Sequence, residues 1–266
     1  MLLSSLFITF LLEYFLTPAE DSFDKYLSRV IYWVRLKLDV DDKKIALLTW
    51  LVLVLGSSLA LWAFWELVLM IHPVLAFVFL VVFLYLNLGF KRFINVFLKI
   101  HSHLKNEEIE QARLEINEWS STVNSSQVVT DAIKNGDARQ IAREATKLLV
   151  LSMHRNLFAP IFWLVVLPGP VGVLLYRSSL FVQREWNQNR EEADNSDLKD
   201  ESVGIALEKE EKHTEEKIES RKVAQSDTYA EIASRGFFWF DWLPARFTAL
   251  VFAIVGNFED AFAQGR

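Results

Sequence analysis

Residues 157–176 form an apolar segment long enough to cross a membrane, and Pro168-Gly169-Pro170 interrupts it. An unbroken run of about 20 apolar residues crosses a bilayer as one helix. Each proline removes a backbone donor, and the glycine between them weakens the helix further. Because freed backbone carbonyls are not tolerated against lipid, the break predicts a place where protein or a water-lined cavity covers the backbone.

Further apolar blocks occur at residues 45–70, 73–90 and 243–255, with a shorter one at 2–16, in a chain that is 52% hydrophobic. This distribution predicts an all-α, polytopic helical membrane protein with a re-entrant segment and cytoplasmic helical loops. The block at 2–16 has an alternative interpretation as a cleaved signal sequence. Glu13 inside the block, and the lack of a basic start or a small-residue cleavage site, argue against it.

The net charge of -6 is local rather than global. Residues 191–222 contain 12 acidic and 6 basic side chains, so the rest of the chain is neutral. We therefore expect no nucleic-acid partner. The chain has no cysteine, which excludes disulfides, thiolate metal ligands and a cysteine nucleophile.

Lysine and arginine placement predicts the orientation of the segments. Six lie in residues 17–44, none in 66–72 and ten in 91–155. By the positive-inside rule, blocks 45–70 and 73–90 form a hairpin with cytoplasmic flanks. Both flanks of the segment 157–176 are also basic, which favours a re-entrant helix-break-helix; the alternative is a kinked single span with Arg177 snorkelling outside.

The sequence predicts three regions in chain order. Residues 1–190 supply membrane helices and a helical cytoplasmic loop at 91–155, residues 191–222 form an acidic flexible insert, and residues 223–266 hold an aromatic belt and the last membrane segment. Within the loop, apolar residues recur at helical spacing, which is typical of packing surfaces: Phe93, Phe97, Ile100, Leu104, Ile109, Ala112, Ile116 and Trp119. Asp137 with Gln140 predicts a capping box.

Two groups of residues are ligand-binding candidates. Arg246 lies one turn into an apolar block, five residues after Asp241, where a guanidinium is costly unless it snorkels, pairs or meets an anion. If the segment 157–176 is re-entrant, His154 and Asn156 at its entrance meet Tyr176 and Arg177 at its return, on a cytoplasmic surface that suits an anionic group, with His154 as a proton carrier. For both groups, ordinary interfacial or structural roles are the alternative.

Other ionisable residues carry weaker signals. Glu13 lies inside an apolar block, close enough to its end to face water. His101 and His103 point in different directions on a helix, so the sequence predicts no metal site.

Two stretches resemble a known family. Residues 154–177, which contain Gly169-Pro170-Val171-Gly172, and residues 241–261, which begin Asp-Trp-Leu-Pro-Ala-Arg, are similar to the CobD/CbiB cobalamin biosynthesis family and its AmpE-like branch. The resemblance implies a multi-pass protein of the bacterial inner membrane. In the biosynthetic branch it implies an ATP- and magnesium-dependent synthase that attaches aminopropanol to a propionate carboxylate of adenosylcobyric acid to make cobinamide, or aminopropanol phosphate to make cobinamide phosphate.

In this chain, the residues that match the family's first motif are Pro160, Gly169, Gly172, Tyr176 and Arg177. Those that match its second motif are Pro244, Ala245 and Arg246. The resemblance implies a corrinoid substrate beside membrane lipid, which Arg177 and Arg246 suit. Biosynthetic members continue with an Asn-Thr-x-Asp-Ser element, whereas this chain continues Ser178-Ser-Leu-Phe. The alternative is a non-catalytic AmpE-like regulatory or accessory protein with a membrane-protein partner.

Overall fold

The computed structural model describes residues 2–16, 43–123, 136–200 and 209–264, and these residues are helical almost throughout, with no strand among them. The all-α class is confirmed. The helices, in chain order, are α1 (Leu2–Phe15), α2 (Lys43–Leu51), α3 (Ser57–Ile71), α4 (Pro73–Leu88), α5 (Phe90–Lys105), α6 (Ile109–Val123), α7 (Ala138–Met153), α8 (Ala159–Val166), α9 (Val171–Asp200) and α10 (Lys209–Gln264).

Four helical segments are long and apolar enough to cross a membrane: Lys43–Ile71, Pro73–Lys105, Ala138–Val166 and Asp227–Ile254. The first three join consecutive elements, and two π-helical turns, Val52–Gly56 and His154–Phe158, connect α2 to α3 and α7 to α8. Helix α1 is apolar but shorter. The predicted polytopic membrane protein is therefore confirmed by length and composition.

The chain divides into two compact units, each built from separated parts of the sequence. The first unit contains Met1–Glu20, Trp65–Val173 and Pro244–Arg266, and the second contains Asp21–Phe64 and Leu174–Leu243. The three regions predicted in chain order stay a prediction. Of the acidic insert, residues 201–208 lie outside the described residues, whereas 191–200 and 209–222 continue the backbones of α9 and α10.

In the first unit, α5, α6 and α7 pack as a three-helix bundle. Its core contains the apolar stripes predicted from the sequence, including Phe93, Ile100, Ile116 and Trp119, and adds residues from α7: Ile141, Ala145 and Leu148. The predicted capping box starts α7, because the Asp137 side chain accepts from the Gln140 N–H at 2.8 Å and the Gln140 side chain accepts from the Asp137 N–H at 3.2 Å. The predicted packing stripes and the predicted cap are both confirmed.

In the second unit, aromatic side chains from α2, α9 and α10 form the core. Trp186 packs edge-on against Tyr229, with ring centroids 4.9 Å apart. Trp50 stacks on Phe240 at 6.0 Å and also covers Gly236, where no side chain would fit. The core of this unit therefore depends on contacts between helices that are far apart in sequence.

Candidate functional site

The Pro-Gly-Pro break separates α8 from α9 and is covered by protein at Gly169. Gly169 has φ of 65°, in the left-handed region that glycine adopts without strain. A Cβ atom on Gly169 would lie 2.7 Å from Nε1 of Trp65, a buried residue of α3. The backbone at Gly169 is thus covered by an aromatic side chain, whereas Pro168 beside it is exposed.

The chain turns back at this break. A Cβ atom on Gly172, in the first turn of α9, would clash with the backbone carbonyl of Trp163 in α8. In one continuous helix these residues would lie about 13 Å apart along the axis. Glycine at 172 therefore allows the start of α9 to pack on α8. Re-entrant insertion into a membrane stays a prediction.

His154 begins the π-helical turn His154–Phe158 and is buried. Its Nδ1 lies 3.0 Å from Oγ1 of Thr248 in α10, a hydrogen bond whose direction depends on the imidazole tautomer. Asn156 in the same turn donates from Nδ2 to the Ser152 carbonyl at 2.9 Å. The turn shifts the backbone bonding from i-4 to i-5, as shown by the Ala159 N–H bonded to the His154 carbonyl.

Tyr176 and Asp241 form a polar contact within the second unit. The Tyr176 hydroxyl donates to Asp241 Oδ1 at 2.7 Å, and the Tyr176 side chain is 0% exposed. Its ring also packs against Phe237, with centroids 5.6 Å apart. This bond joins α9 to α10 and has the length of a charge-assisted hydrogen bond.

The two predicted arginines differ in exposure. Arg177 in α9 is partly buried, whereas Arg246 in α10 is exposed. Arg246 follows Pro244, which lies inside α10 and leaves the Phe240 carbonyl without its helical donor. Of the six predicted site residues, Arg246 is thus the one that is exposed.

These positions differ from the cytoplasmic surface predicted for His154, Asn156, Tyr176 and Arg177. His154 and Tyr176 are buried, and each bonds to a residue of α10 instead of facing an exposed surface. Asn156 bonds to the backbone of its own helix. No sequence signal indicated Thr248 as a partner, because it lies 94 residues from His154. The proposed ligand roles of these residues stay predictions.

Glu13 is buried instead of facing water, which corrects the sequence-based expectation. Its Oε1 accepts from the Lys91 N–H at 2.9 Å, so the carboxyl caps the N-terminus of α5. Lys91 Nζ in turn donates to the Tyr14 carbonyl at 3.0 Å and to the Leu16 carbonyl at 3.3 Å, at the C-terminal end of α1. Glu13 and Lys91 therefore fasten the two helices together.

Magnesium and ATP, implied by the synthase resemblance, fit these residues poorly. Within the described ranges no three His, Asp or Glu side chains come together as a metal site. Magnesium is usually held by one or two carboxylates and the substrate phosphates. Asp241, the carboxylate of the second motif, bonds to Tyr176. His103 pairs with Glu108 at 2.6 Å, and His101 is exposed.

The described architecture is that of a multi-pass helical membrane protein. No family model, no curated protein and no solved structure matches the chain. The resemblance to the CobD/CbiB family therefore stays a prediction from the motifs.

Proposed function

We propose that the chain is a non-catalytic, AmpE-like accessory or signalling protein of the bacterial inner membrane, within the CobD/CbiB superfamily. The observation that carries this proposal is the buried bond between Tyr176 and Asp241. A buried tyrosine that donates to the motif carboxylate uses both groups to join two helices. Substrate would have to displace that bond, at a cost of about 1.5–3 kcal/mol for a bond to a charged group.

Two further features support the proposal. His154 Nδ1 is hydrogen-bonded to the Thr248 hydroxyl, and the Asn156 side-chain amide donates to the Ser152 carbonyl. The Asn-Thr-x-Asp-Ser element of the synthases is replaced by Ser178-Ser-Leu-Phe, in which Ser178 and Ser179 are buried and donate to the carbonyls of Leu175 and Tyr176. This stretch thus has two serines that bond within their own helix. It lacks the aspartate with which the synthase element would hold a nucleotide-bound magnesium.

The cobinamide-phosphate synthase is the second candidate, and the exposure of Arg246 favours it. An exposed guanidinium can bind a phosphate or carboxylate through two parallel hydrogen bonds. Under this alternative Arg246 would hold the anionic corrinoid or the phosphate, and ATP with magnesium would supply the activation of the propionate carboxylate.

A synthase assay separates the two candidates. The purified protein is incubated with ATP, magnesium, adenosylcobyric acid and aminopropanol, and the amide product is followed by chromatography. We expect no product above the blank, while an Asn-Thr-x-Asp-Ser synthase assayed in parallel is active. Product formation that Arg246→Gln abolishes without loss of folded protein would establish the synthase and refute the proposal.

An accessory role also predicts a protein neighbour in the membrane. Trp239 on α10 is 76% exposed, so a photo-crosslinking residue at this position reports what lies against that helix. In intact cells we expect one discrete protein adduct. Position 188, exposed on α9, serves as the comparison site. Adducts with lipid alone at position 239 would contradict an accessory role.

If the Tyr176–Asp241 hydrogen bond serves to join α9 to α10, removing it should lower the stability of the protein. Tyr176→Phe should lower the free energy of unfolding by about 1–3 kcal/mol, because it removes the hydroxyl that donates to the partly buried Asp241 carboxylate. Thermal unfolding in detergent measures this change. Tyr14→Phe is the matched control, since Tyr14 is exposed on α1. Equal midpoints for Tyr176→Phe and wild type would show that the bond does not hold the helices together.

A further inference from the structure

One oxygen of the Glu13 carboxyl is buried without a hydrogen-bond partner. Glu13 lies in the last turn of α1 and is 1% exposed. Its Oε1 accepts from the Lys91 N–H at 2.9 Å, and the Phe90 N–H also interacts with the carboxyl. Its Oε2 bonds to no group in the part of the chain that the structure describes. Buried polar atoms without a partner are rare in folded proteins, so this oxygen requires a physical explanation.

The cation next to Glu13, the ammonium of Lys91, is directed elsewhere. Lys91 Nζ donates to the carbonyls of Tyr14 and Leu16 at 3.0 and 3.3 Å, in two exposed hydrogen bonds. Among the described residues, Glu13 forms no ion pair. The charge of Lys91 still attracts the carboxyl, but from an exposed position where water and salt screen it. The buried carboxyl therefore has no direct counter-charge.

The helices packed against α1 supply no other charge to Glu13. Helix α1 packs on α4 and also contacts α5. Glu13 is the one charged residue of α1, and α4 has none. The other titratable side chains of these two helices are tyrosines, Tyr14 exposed and Tyr85 half-buried. In the first turn of α5, Arg92 is exposed. A carboxylate at position 13 would thus be a buried charge without an ion pair.

The neutral form of Glu13 costs less free energy than the charged form. A carboxylate taken out of water loses more in hydration than a backbone N–H and the positive end of a helix return. A carboxylic acid avoids this loss, and its carbonyl oxygen still accepts from the Lys91 N–H. The second oxygen then carries the proton, which accounts for the lack of a donor at Oε2.

We propose that Glu13 is a proton-binding site at the contact of α1 with α5, with the proton on Oε2. Ionisable side chains within apolar helices are the groups through which membrane proteins carry protons. Because water would ionise the same carboxyl, binding of this proton is linked to the packing of α1. A displacement of α1 that admits water to Glu13 would release one proton. The inference is independent of the proposed accessory function.

Infrared spectroscopy of the full-length protein in lipid nanodiscs at neutral pH tests this site. The carbonyl stretch of a protonated carboxylic acid absorbs apart from the bands of an ionised carboxylate, and it shifts in heavy water. We expect the wild type to show this acid band and Glu13→Gln to lose the intensity of one carboxyl per chain. Glutamine keeps an oxygen that accepts from the Lys91 N–H, so the variant should stay folded, which the amide band of the same spectrum reports.

Glu118→Gln provides the matched control, because Glu118 is an exposed carboxyl on α6. This variant should leave the acid band unchanged. Denaturation in SDS and urea at the same pH should abolish the band that depends on Glu13, since the carboxyl then meets water. The proposal would be overturned by the absence of an acid band in the wild type, by a band that Glu13→Gln does not reduce, by an equal loss in Glu118→Gln, or by a Glu13 band that survives denaturation.

Discussion

Helices α1 and α5 bury opposite kinds of side chain. In α1 three of the four buried residues are polar, Ser5, Thr9 and Glu13 beside Leu6, while the exposed side carries Leu3, Phe7 and Leu11. In α5 the apolar residues Phe93 and Ile100 are buried, and Arg92, Lys99 and Lys105 are exposed. Both helices belong to the first unit and are similar in length.

We infer from this difference that one compact unit is in contact with two solvents, lipid around α1 and water around α5. A helix in water buries its apolar stripe, as α5 does in the bundle. A helix in lipid exposes apolar side chains and turns polar ones toward protein, as α1 does. We infer that α1 lies in the membrane although it is only about 21 Å long. Glu13 and Lys91 join the two helices where the solvents meet.

The largest expected effect comes from placing a charge on the exposed side of each helix. Phe7 is 69% exposed and Leu98 on α5 is 54% exposed, so the two sites are comparable except for their solvent. Phe7→Arg should cost about 2.5–3.5 kcal/mol in lipid and lower the amount of membrane-inserted protein. Leu98→Arg should change stability by less than about 0.5 kcal/mol. Membrane yield and thermal midpoints measure both, and equal losses would remove the distinction.

The next largest effect is expected at the hydrogen bond between Glu13 of α1 and Lys91 of α5. Glu13→Leu leaves the Lys91 N–H without an acceptor and should cost about 1–3 kcal/mol. Glu13→Gln keeps an acceptor at this position, so it should retain most of the stability. Denaturant or thermal unfolding in detergent compares the pair. A Gln variant as unstable as the Leu variant would mean that the charge of Glu13, not its hydrogen bond, holds the joint.

A smaller effect is expected from the polar face of α1. The Thr9 hydroxyl lies 3.4 Å from the Val81 carbonyl, a long hydrogen bond to α4. Thr9→Val keeps the shape and should cost about 0.6 kcal/mol, the average for such bonds between membrane helices. Thr146→Val, on the exposed side of α7, is the control. A loss above about 2 kcal/mol would show a stronger polar contact than this bond.

The smallest effect is expected on the water side. Lys99 pairs with Glu115 across the bundle, and the Lys99 side chain is more than half exposed. Lys99→Gln should change stability by at most about 0.5 kcal/mol, and the change should shrink in high salt. A loss that persists unchanged in salt would indicate that the residue contributes through packing.

Much of this fold follows from local sequence signals. The stripes of α5 and α6, the Asp137 cap and the apolar blocks are set by residues within a few turns of each other, and the structure confirms them. The inverted face of α1 was missed because its hydrophobic residues lie on both sides and only Glu13 marks the polar one. Its burial depends on Lys91, 78 residues away.

The candidate site was less predictable. The sequence identified the chemical groups but not their partners, since Tyr176 and Asp241 are 65 residues apart and meet only when α9 packs against α10. The π-helical turn at His154 has no composition signature, and the shift in backbone bonding follows from packing. Gly172 was identified from the sequence as a motif residue. Its close approach to the Trp163 carbonyl forms only because the chain turns back between α8 and α9.

The direct test of a unit in two solvents is cysteine labelling, which has no background because the chain contains no cysteine. Phe7→Cys and Leu98→Cys are reconstituted in nanodiscs, where both membrane faces are open, and treated with a charged maleimide. We expect Leu98→Cys to react fully, and Phe7→Cys to react only after the lipid is removed and the protein is denatured. Equal labelling of the two sites in the intact bilayer would contradict the account.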